Sequence, residues 1–256
     1  MKLTVIGAGP AYTNRPGAVG SSYLISSGST ELLLDLGHGT YSNLAGTIPP
    51  SSLAAVAISH LHPDHFIDLV PLRHYLRYEF VPPKRVAVLA PAALAARLDA
   101  LLAQLGFTAE SLDVSPLADG LTLDIGGLQL AARKVSHTDD SYAFRVSPLP
   151  SAGADAARPG LVYSGDCGRA DDLRPLIQPG DVLLSEVSFG LGPVPPGAQH
   201  LDAPDVGRLA RATGVSRILL THLLSGPDRA ATVAAVERLS GGIPSQLVDP
   251  GDRFDL

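Results

Sequence analysis

Cysteine is nearly missing from this chain of 256 residues: Cys167 stands alone. No intrachain disulfide is therefore possible, and nothing marks an oxidising compartment. Lysine is almost as scarce, with Lys2, Lys84 and Lys134 the only three. Charged residues total 17%, the net charge is −6, and no Lys/Arg cluster stands out. Proteins that grip long nucleic acids usually carry a basic stripe that displaces counterions from the phosphates. Its lack argues against such a partner, although a bound dication can supply local positive charge. Long apolar runs are missing too. The opening MKLTVIGAGP breaks at Gly7, Gly9 and Pro10 before it could act as a signal segment, and no stretch reaches membrane-spanning length. The expectation is a cytoplasmic protein with no membrane partner.

What is present is a large apolar share, 45% of residues, in a chain long enough to bury most of its apolar surface without a staple. Runs rich in Val, Ile and Leu predict strands near 3–7, 21–26, 31–35, 54–59, 86–90, 121–124, 128–134, 142–147, 161–164, 181–185, 217–221 and 245–248. Helical patterns fit 66–79 after a cap at Asp64, 91–105 between Pro91 and Gly106, 169–177, 203–213 after Asp202, and 228–239 after Pro227. A strand-rich first half and an alternating second half indicate an α/β or α+β layout with helices covering sheets. The loop-like stretch 147–160 reads as a mobile hairpin tip, and residues 1–256 read as one domain.

The chemistry concentrates in AAVAISHLHPDHFIDL, residues 54–69. An apolar strand runs into His60, Leu61, His62, Pro63, Asp64 and His65. Side chains two apart on an extended backbone point to the same side, so His60 and His62 can grip one ion. Pro63 ends the strand geometry, and Asp64 and His65 turn toward a second position. Imidazole and carboxylate suit zinc, manganese and iron alike. A chance meeting of polar loop residues accounts poorly for three histidines and an aspartate within residues 60–65. Distant partners follow apolar strands in the same way: His137 after LQLAARKVS, Asp166 after LVYSG, His222 after SRILLT. Strand ends are where α/β sheets present functional side chains.

In these residues the chain resembles the metallo-β-lactamase superfamily, and within it the ribonuclease Z-like branch. The resemblance runs from TVIGAG to the final strand and implies a four-layer αββα sandwich with two divalent metal ions at one edge, zinc first, manganese or iron otherwise. It implies that His60, His62 and His137 hold the first ion, that Asp64, His65 and His222 hold the second, and that Asp166 bridges them. LLLDLGHGT matches the branch's DxGxG segment and makes Asp35 the partner that orients a ligand histidine. LLSEVSF and QHLDAPDVGRLA match the segments in which a glutamate, Glu186, supports a catalytic histidine, His200.

The sequence also departs from ribonuclease Z. Only 28 residues, 138–165, separate His137 from Asp166, too few for the protruding arm that grips tRNA. The basic loop expected after the third ligand is the acidic HTDDSYAF. Both departures disfavour tRNA 3′-processing. Compact members of the family act on small phosphodiesters, cyclic nucleotides among them, so the resemblance implies a substrate of that kind, with a homodimer as the possible assembly. Two ions would lower the pKa of a shared water toward neutrality. Asp64 would hold the hydroxide, and His200, oriented and kept protonated by Glu186, would protonate the leaving alkoxide.

Rival readings keep the fold and change the reaction. One is hydrolysis of a lactone, thioester or other carboxylic ester by the same metals, against which the Glu186/His200 pair is read as protonating a phosphodiester's alkoxide leaving group. Asp64 and His65 complete a second metal position, against a single-iron redox enzyme, and a scaffold protein would be expected to have lost ligands. Other residues carry weaker signals. His38 borders the site or is a plain loop residue. His74, Tyr75 and Arg77 fit a solvated helix face or a subunit contact. Asp68 fits a first-turn acid favoured by the helix dipole, and Cys167 a packed thiol. GAGP lacks the third glycine and the helix of a dinucleotide fingerprint.

Overall fold

The computed structural model describes residues 1–149 and 158–256. The N-terminal half carries β1 (Lys2–Ala8), β2 (Ser21–Ser27), β3 (Thr30–Leu34), α1 (Thr40–Thr47), β4 (Ala55–Ala57), α2 (Pro63–Phe66), α3 (Leu69–Tyr78), β5 (Val86–Ala90), α4 (Leu94–Leu101) and β6 (Leu112–Pro116). The C-terminal half carries β7 (Thr122–Ile125), β8 (Leu128–Lys134), β9 (Tyr142–Pro148), β10 (Leu161–Tyr163), β11 (Val182–Glu186), α5 (Ala203–Thr213), β12 (Arg217–Thr221), α6 (Arg229–Ser240), β13 (Ser245–Leu247) and β14 (Arg253–Asp255). Residues 150–157, most of the expected hairpin tip, lie outside the described residues.

Two seven-stranded sheets form, in the orders β14-β1-β2-β3-β4-β5-β6 and β13-β12-β11-β10-β9-β8-β7. Each is antiparallel at one end and parallel at the other, with the change at β3 in one sheet and at β10 in the other. The alternation of side chains explains why central strands read as continuous apolar runs. Leu32 and Leu34 of β3 enter the core between the sheets, while Leu33 joins the core under the outer helices. Leu161 and Tyr163 of β10 do the same, with Val162 turned to the opposite outer core. Helices α3 and α4 cover the first sheet and α5 and α6 the second. The result is the αββα sandwich.

Several expectations are corrected. The predicted helix 66–79 is two elements, because Leu36 inserts its backbone between them. Its N–H donates to the His65 carbonyl at 2.8 Å, and its carbonyl accepts from the Asp68 N–H at 3.1 Å. His62, not Asp64, occupies the cap position of α2, with Pro63 as the first helical residue. Asp68 caps α3 by position and not as a first-turn acid; its carboxylate accepts from the Tyr41 N–H at 2.8 Å. The helix expected at 169–177 is a single 3-10 turn, Ala170–Leu173; Pro175 cannot continue it. The helix expected at 91–105 contracts to α4, after a turn closed from Leu94 N–H to the Pro91 carbonyl. The first half, expected to be strand-rich, carries four α-helices, α1 to α4, against α5 and α6 in the second.

Candidate metal centre

Five of the seven candidate ligands stand just past a strand, and Asp64 and His65 follow on α2. Residues 58–62 extend from β4, His137 follows β8, Asp166 follows β10, and His222 follows β12. The first sheet thus delivers His60, His62, Asp64 and His65, and the second delivers His137, Asp166 and His222. Two tyrosines tie the sheets together behind them. Tyr163 donates from its hydroxyl to Asp35 Oδ2 at 2.7 Å. Tyr23 and Thr221 share a hydroxyl hydrogen bond of 2.5 Å, and the two tyrosine rings meet at 4.9 Å.

The seven side chains gather into two sets. In one, His62 Nδ1 is 3.0 Å from His60 Nε2 and 3.1 Å from His137 Nε2. In the other, His222 Nε2 is 3.2 Å from Asp64 Oδ2 and 3.4 Å from His65 Nε2. Asp166 lies between them. Its Oδ2 is 3.7 Å from both His60 Nε2 and His137 Nε2, and its Oδ1 is 3.4 Å from both His65 Nε2 and His222 Nε2.

Donor atoms at about 2.0 Å from a tetrahedral ion stand about 3.3 Å apart, the spacing seen here. Asp64 Oδ1 and Asp166 Oδ1 are buried without a hydrogen-bond partner. A buried carboxylate oxygen left so is costly unless a cation or a bound group completes it. The residues therefore fit two divalent cations.

The electrostatics agree at five of the seven groups. His65 is the exception, since burial lowers it but the Asp166 and Asp35 carboxylates outweigh burial and raise it well above its ordinary value. Burial, then the neighbouring His65, holds His60 well below the ordinary histidine value; burial likewise lowers His62 and His137. Burial alone would raise the Asp166 carboxyl, but His222 and His65 outweigh it and leave it well below the usual range. Asp64 is lowered against the same opposition by its hydrogen bond to His222. Neutral imidazoles and ionised carboxylates are the forms that bind a cation.

The second ring nitrogen of four histidines is held, which fixes the face each ring presents. Asp35 Oδ2 lies 2.8 Å from His65 Nδ1, as the resemblance implies, and Asp35 also accepts from Ser59 N–H and Oγ at 2.6 and 2.7 Å. Sequence reasoning missed the other three partners. Ser59 Oγ lies 3.1 Å from His60 Nδ1, the Gln199 carbonyl 2.7 Å from His137 Nδ1, and Ser188 Oγ 3.0 Å from His222 Nδ1. Asp35 and His222 both adopt positive φ, 58° each. Such a conformation costs an ordinary residue of order 1–3 kcal/mol and persists where surrounding structure imposes it.

His200 lies beside this group, with Nδ1 3.0 Å from Glu186 Oε1 and 3.9 Å from Asp166 Oδ2. Glu186 is fully buried and also accepts from the Cys167 N–H at 2.8 Å and the Ser188 hydroxyl at 2.5 Å. Burial pulls the His200 imidazole down, but the Glu186 hydrogen bond and charge outweigh it and raise the group to about 8. Cys167 is buried, its thiol pushed up by burial and directed at the Arg169 carbonyl. His38 is half-buried in the loop after β3; its carbonyl accepts from Gly20 N–H, and its ring does not join the gathered side chains. His74 is half-buried, packs on Phe107, bonds the Val70 carbonyl and does not join the gathered side chains.

Two facing sheets with a His/Asp centre at their shared edge define a hydrolase of the metallo-β-lactamase fold. The model of the beta-lactamase superfamily domain matches residues 32–223, and the chain belongs to that superfamily. An uncharacterised protein of Mycobacterium leprae is 31% identical over 262 residues, covering 100% of this chain and 89% of the relative. A probable metallo-hydrolase of Bacillus subtilis, YhfI, is 30% identical over 225 residues, 87% of each chain. The crystal structure of YhfI superposes with a TM-score of 0.84 at 25% identity, covering 99% of this chain and 98% of that one. A ribonuclease Z of Pyrobaculum neutrophilum is 29% identical over 258 residues, 90% of this chain and 89% of the relative. No helix among the described residues is long and apolar enough to cross a membrane.

Proposed function

We propose that this hydrolase cleaves small phosphodiesters, cyclic nucleotides among them, to a phosphomonoester and an alcohol. The observation that carries the reading is the 3.0 Å contact between His200 Nδ1 and the buried Glu186 carboxylate, beside Asp166. An alkoxide is a poor leaving group and needs a proton, whereas a thiolate does not. With Nδ1–H donating to Glu186, the His200 Nε2–H is the proton available to the leaving oxygen.

His60, His62, His137 and Asp166 would hold one divalent ion, and Asp64, His65, His222 and Asp166 the other. Zinc is the ion proposed, and manganese or iron would accept the same donors. Such a pair of ions neutralises charge on the phosphoryl oxygens and lowers the pKa of water. Asp64 Oδ1, buried and unpartnered, is placed to accept a hydrogen bond from the attacking water and orient it. Asp35, Ser59, Ser188 and the Gln199 carbonyl keep the imidazoles aimed, so little reorganisation is left for the reaction.

The test is turnover by protein reloaded with zinc or manganese, with Asp166→Ala as the blank. Substrates are bis(p-nitrophenyl) phosphate, a panel of cyclic nucleotides, a lactone and a thioester. The reading expects metal-dependent release of phosphomonoester that the blank lacks. Turnover of the lactone or thioester alone would overturn it and leave the fold untouched.

A further inference from the structure

Beside His222 lies a cavity of about 340 Å³, walled by Ala8, Arg15, Arg229 and Asp249 among others. It shares backbone with the metal centre. The Ala8 carbonyl accepts the His222 N–H at 3.1 Å, and Arg15 Nη2 donates to the carbonyl of the next residue, Leu223, at 2.8 Å. Arg15 Nε is held by Thr13 Oγ1 at 3.2 Å. Its Nη1 has no hydrogen-bond partner among the described residues. Arg229, the first residue of α6, pairs with Asp249 at 2.6 Å. Asp249 is the one carboxylate in the lining, against two guanidinium groups. Arg15 is driven below its ordinary value by burial and then by the charge of Arg229, with Asp249 offsetting part of this. The lining thus carries one guanidinium more than Asp249 balances, and the planar forks of the two arginines suit phosphate oxygens.

The opposite end of the centre has another character. There His62 borders a second cavity, of about 360 Å³, lined also by Arg97, Thr138, Asp139 and Asp140. Arg97 donates to the Leu61 carbonyl at 2.7 Å and Asp140 pairs with Lys134 at 3.0 Å, so Asp139 offsets the Arg97 charge and this lining carries no excess of positive charge. The excess of positive charge therefore lies past His222 and not past His62.

We infer that Arg15 and Arg229 form an anion subsite for a second phosphoryl group of the substrate. The preferred phosphodiester is then a dinucleotide and not a cyclic mononucleotide. This rests on the phosphodiesterase reading.

The experiment compares ApA with its 5′-phosphorylated form, using wild type, Arg15→Gln and Arg229→Gln, each metal-loaded. Wild type should favour the phosphorylated form in kcat/KM, mainly through KM. The factor should be roughly ten- to a hundred-fold, as one or two charge-assisted hydrogen bonds supply. In each variant that ratio should fall toward one. Equal kcat/KM in wild type, or a ratio that survives both substitutions, overturns the subsite. If neither dinucleotide is cleaved while the lactone or thioester is, the phosphodiesterase reading has failed. The subsite is then read by calorimetric titration of inorganic phosphate. One fewer binding site in the Arg15→Gln/Arg229→Gln protein than in wild type supports it, and identical isotherms overturn it.

Discussion

The Nδ1 of His200 and the Oε1 of Glu186 stand 3.0 Å apart, the carboxylate wholly buried and the imidazole 22% exposed. Two further donors, the Cys167 N–H and the Ser188 hydroxyl, fix Glu186 from the other side. The histidine is thereby oriented from within the core while its far nitrogen stays free. His200→Ala is expected to lower kcat on a phosphodiester by about a hundred- to ten-thousand-fold, the range of a general acid, with both ions retained. Metal analysis of the purified variant decides: loss of metal would make His200 structural.

The same pair sets a pH dependence. His200, raised to about 8 before any ion is bound, loses its proton as pH rises, and dications held beside it lower that value, so kcat/KM should fall on the basic side at a pH below 8. Glu186→Gln removes the opposing charge and leaves burial, which lowers the group, so the fall should move to lower pH. The stability side has the same sign. Since the folded value exceeds the ordinary 6.5, the pair's contribution is complete below 6.5 and lost as pH rises through about 8. A pH–rate profile unchanged by Glu186→Gln would remove Glu186 from its role.

Asp35→Asn keeps the shape of the side chain but discards the charge that faces His65. Metal affinity should drop about ten- to a hundred-fold, as when the partner of a ligating histidine is lost. Competition with a fluorescent chelator measures it directly. Tyr163→Phe removes one donor to the same carboxylate and should cost roughly 1–3 kcal/mol in denaturant unfolding. Unfolding at the wild-type denaturant concentration would show that bond to be worth nothing.

Gly37 is closed to any side chain. A Cβ there would sit 1.8 Å from the Asp64 carbonyl oxygen, and backbone cannot yield as a flexible side chain does. Gly37→Ala is expected to destabilise by at least the roughly 1–3 kcal/mol of an overpacked core, and to displace Asp64. A lowered Tm together with a reduced metal content is the expected pair of results; wild-type values of both would contradict the close approach.

The centre was legible where its information is local. His60, His62, Asp64 and His65 come from one strand end and the turn after it, and the remaining ligands repeat the strand-end context. The partners that hold the rings were not, apart from Asp35, because they are single serines and a backbone carbonyl whose meaning depends on which loops meet. Central strands such as β3 and β11 were read within a residue or so, since they are apolar on both faces. The edge strands β6 and β14 were missed, being short and carrying Asp113, Ser115, Arg253 and Asp255. Helix α1 was missed because TYSNLAGT holds few helix-forming residues. Its start is fixed instead by the Thr40 hydroxyl on the Gly37 carbonyl, and its flank by the Asn43 amide on the Ile6 carbonyl.

The seven gathered side chains come four from one sheet and three from the other, and the tyrosine contacts behind them span the same seam. Neither half of the chain owns a complete set. Ions held there would act as rivets between two layers, and each layer would supply the other's missing jaw. A substitution deep in the sandwich, far from any ligand, that lets the layers slide would spread the donors and weaken the ions' hold. Metal affinity is then a gauge of how tightly the two layers grip, and a chelator pulls on the whole sandwich from one edge.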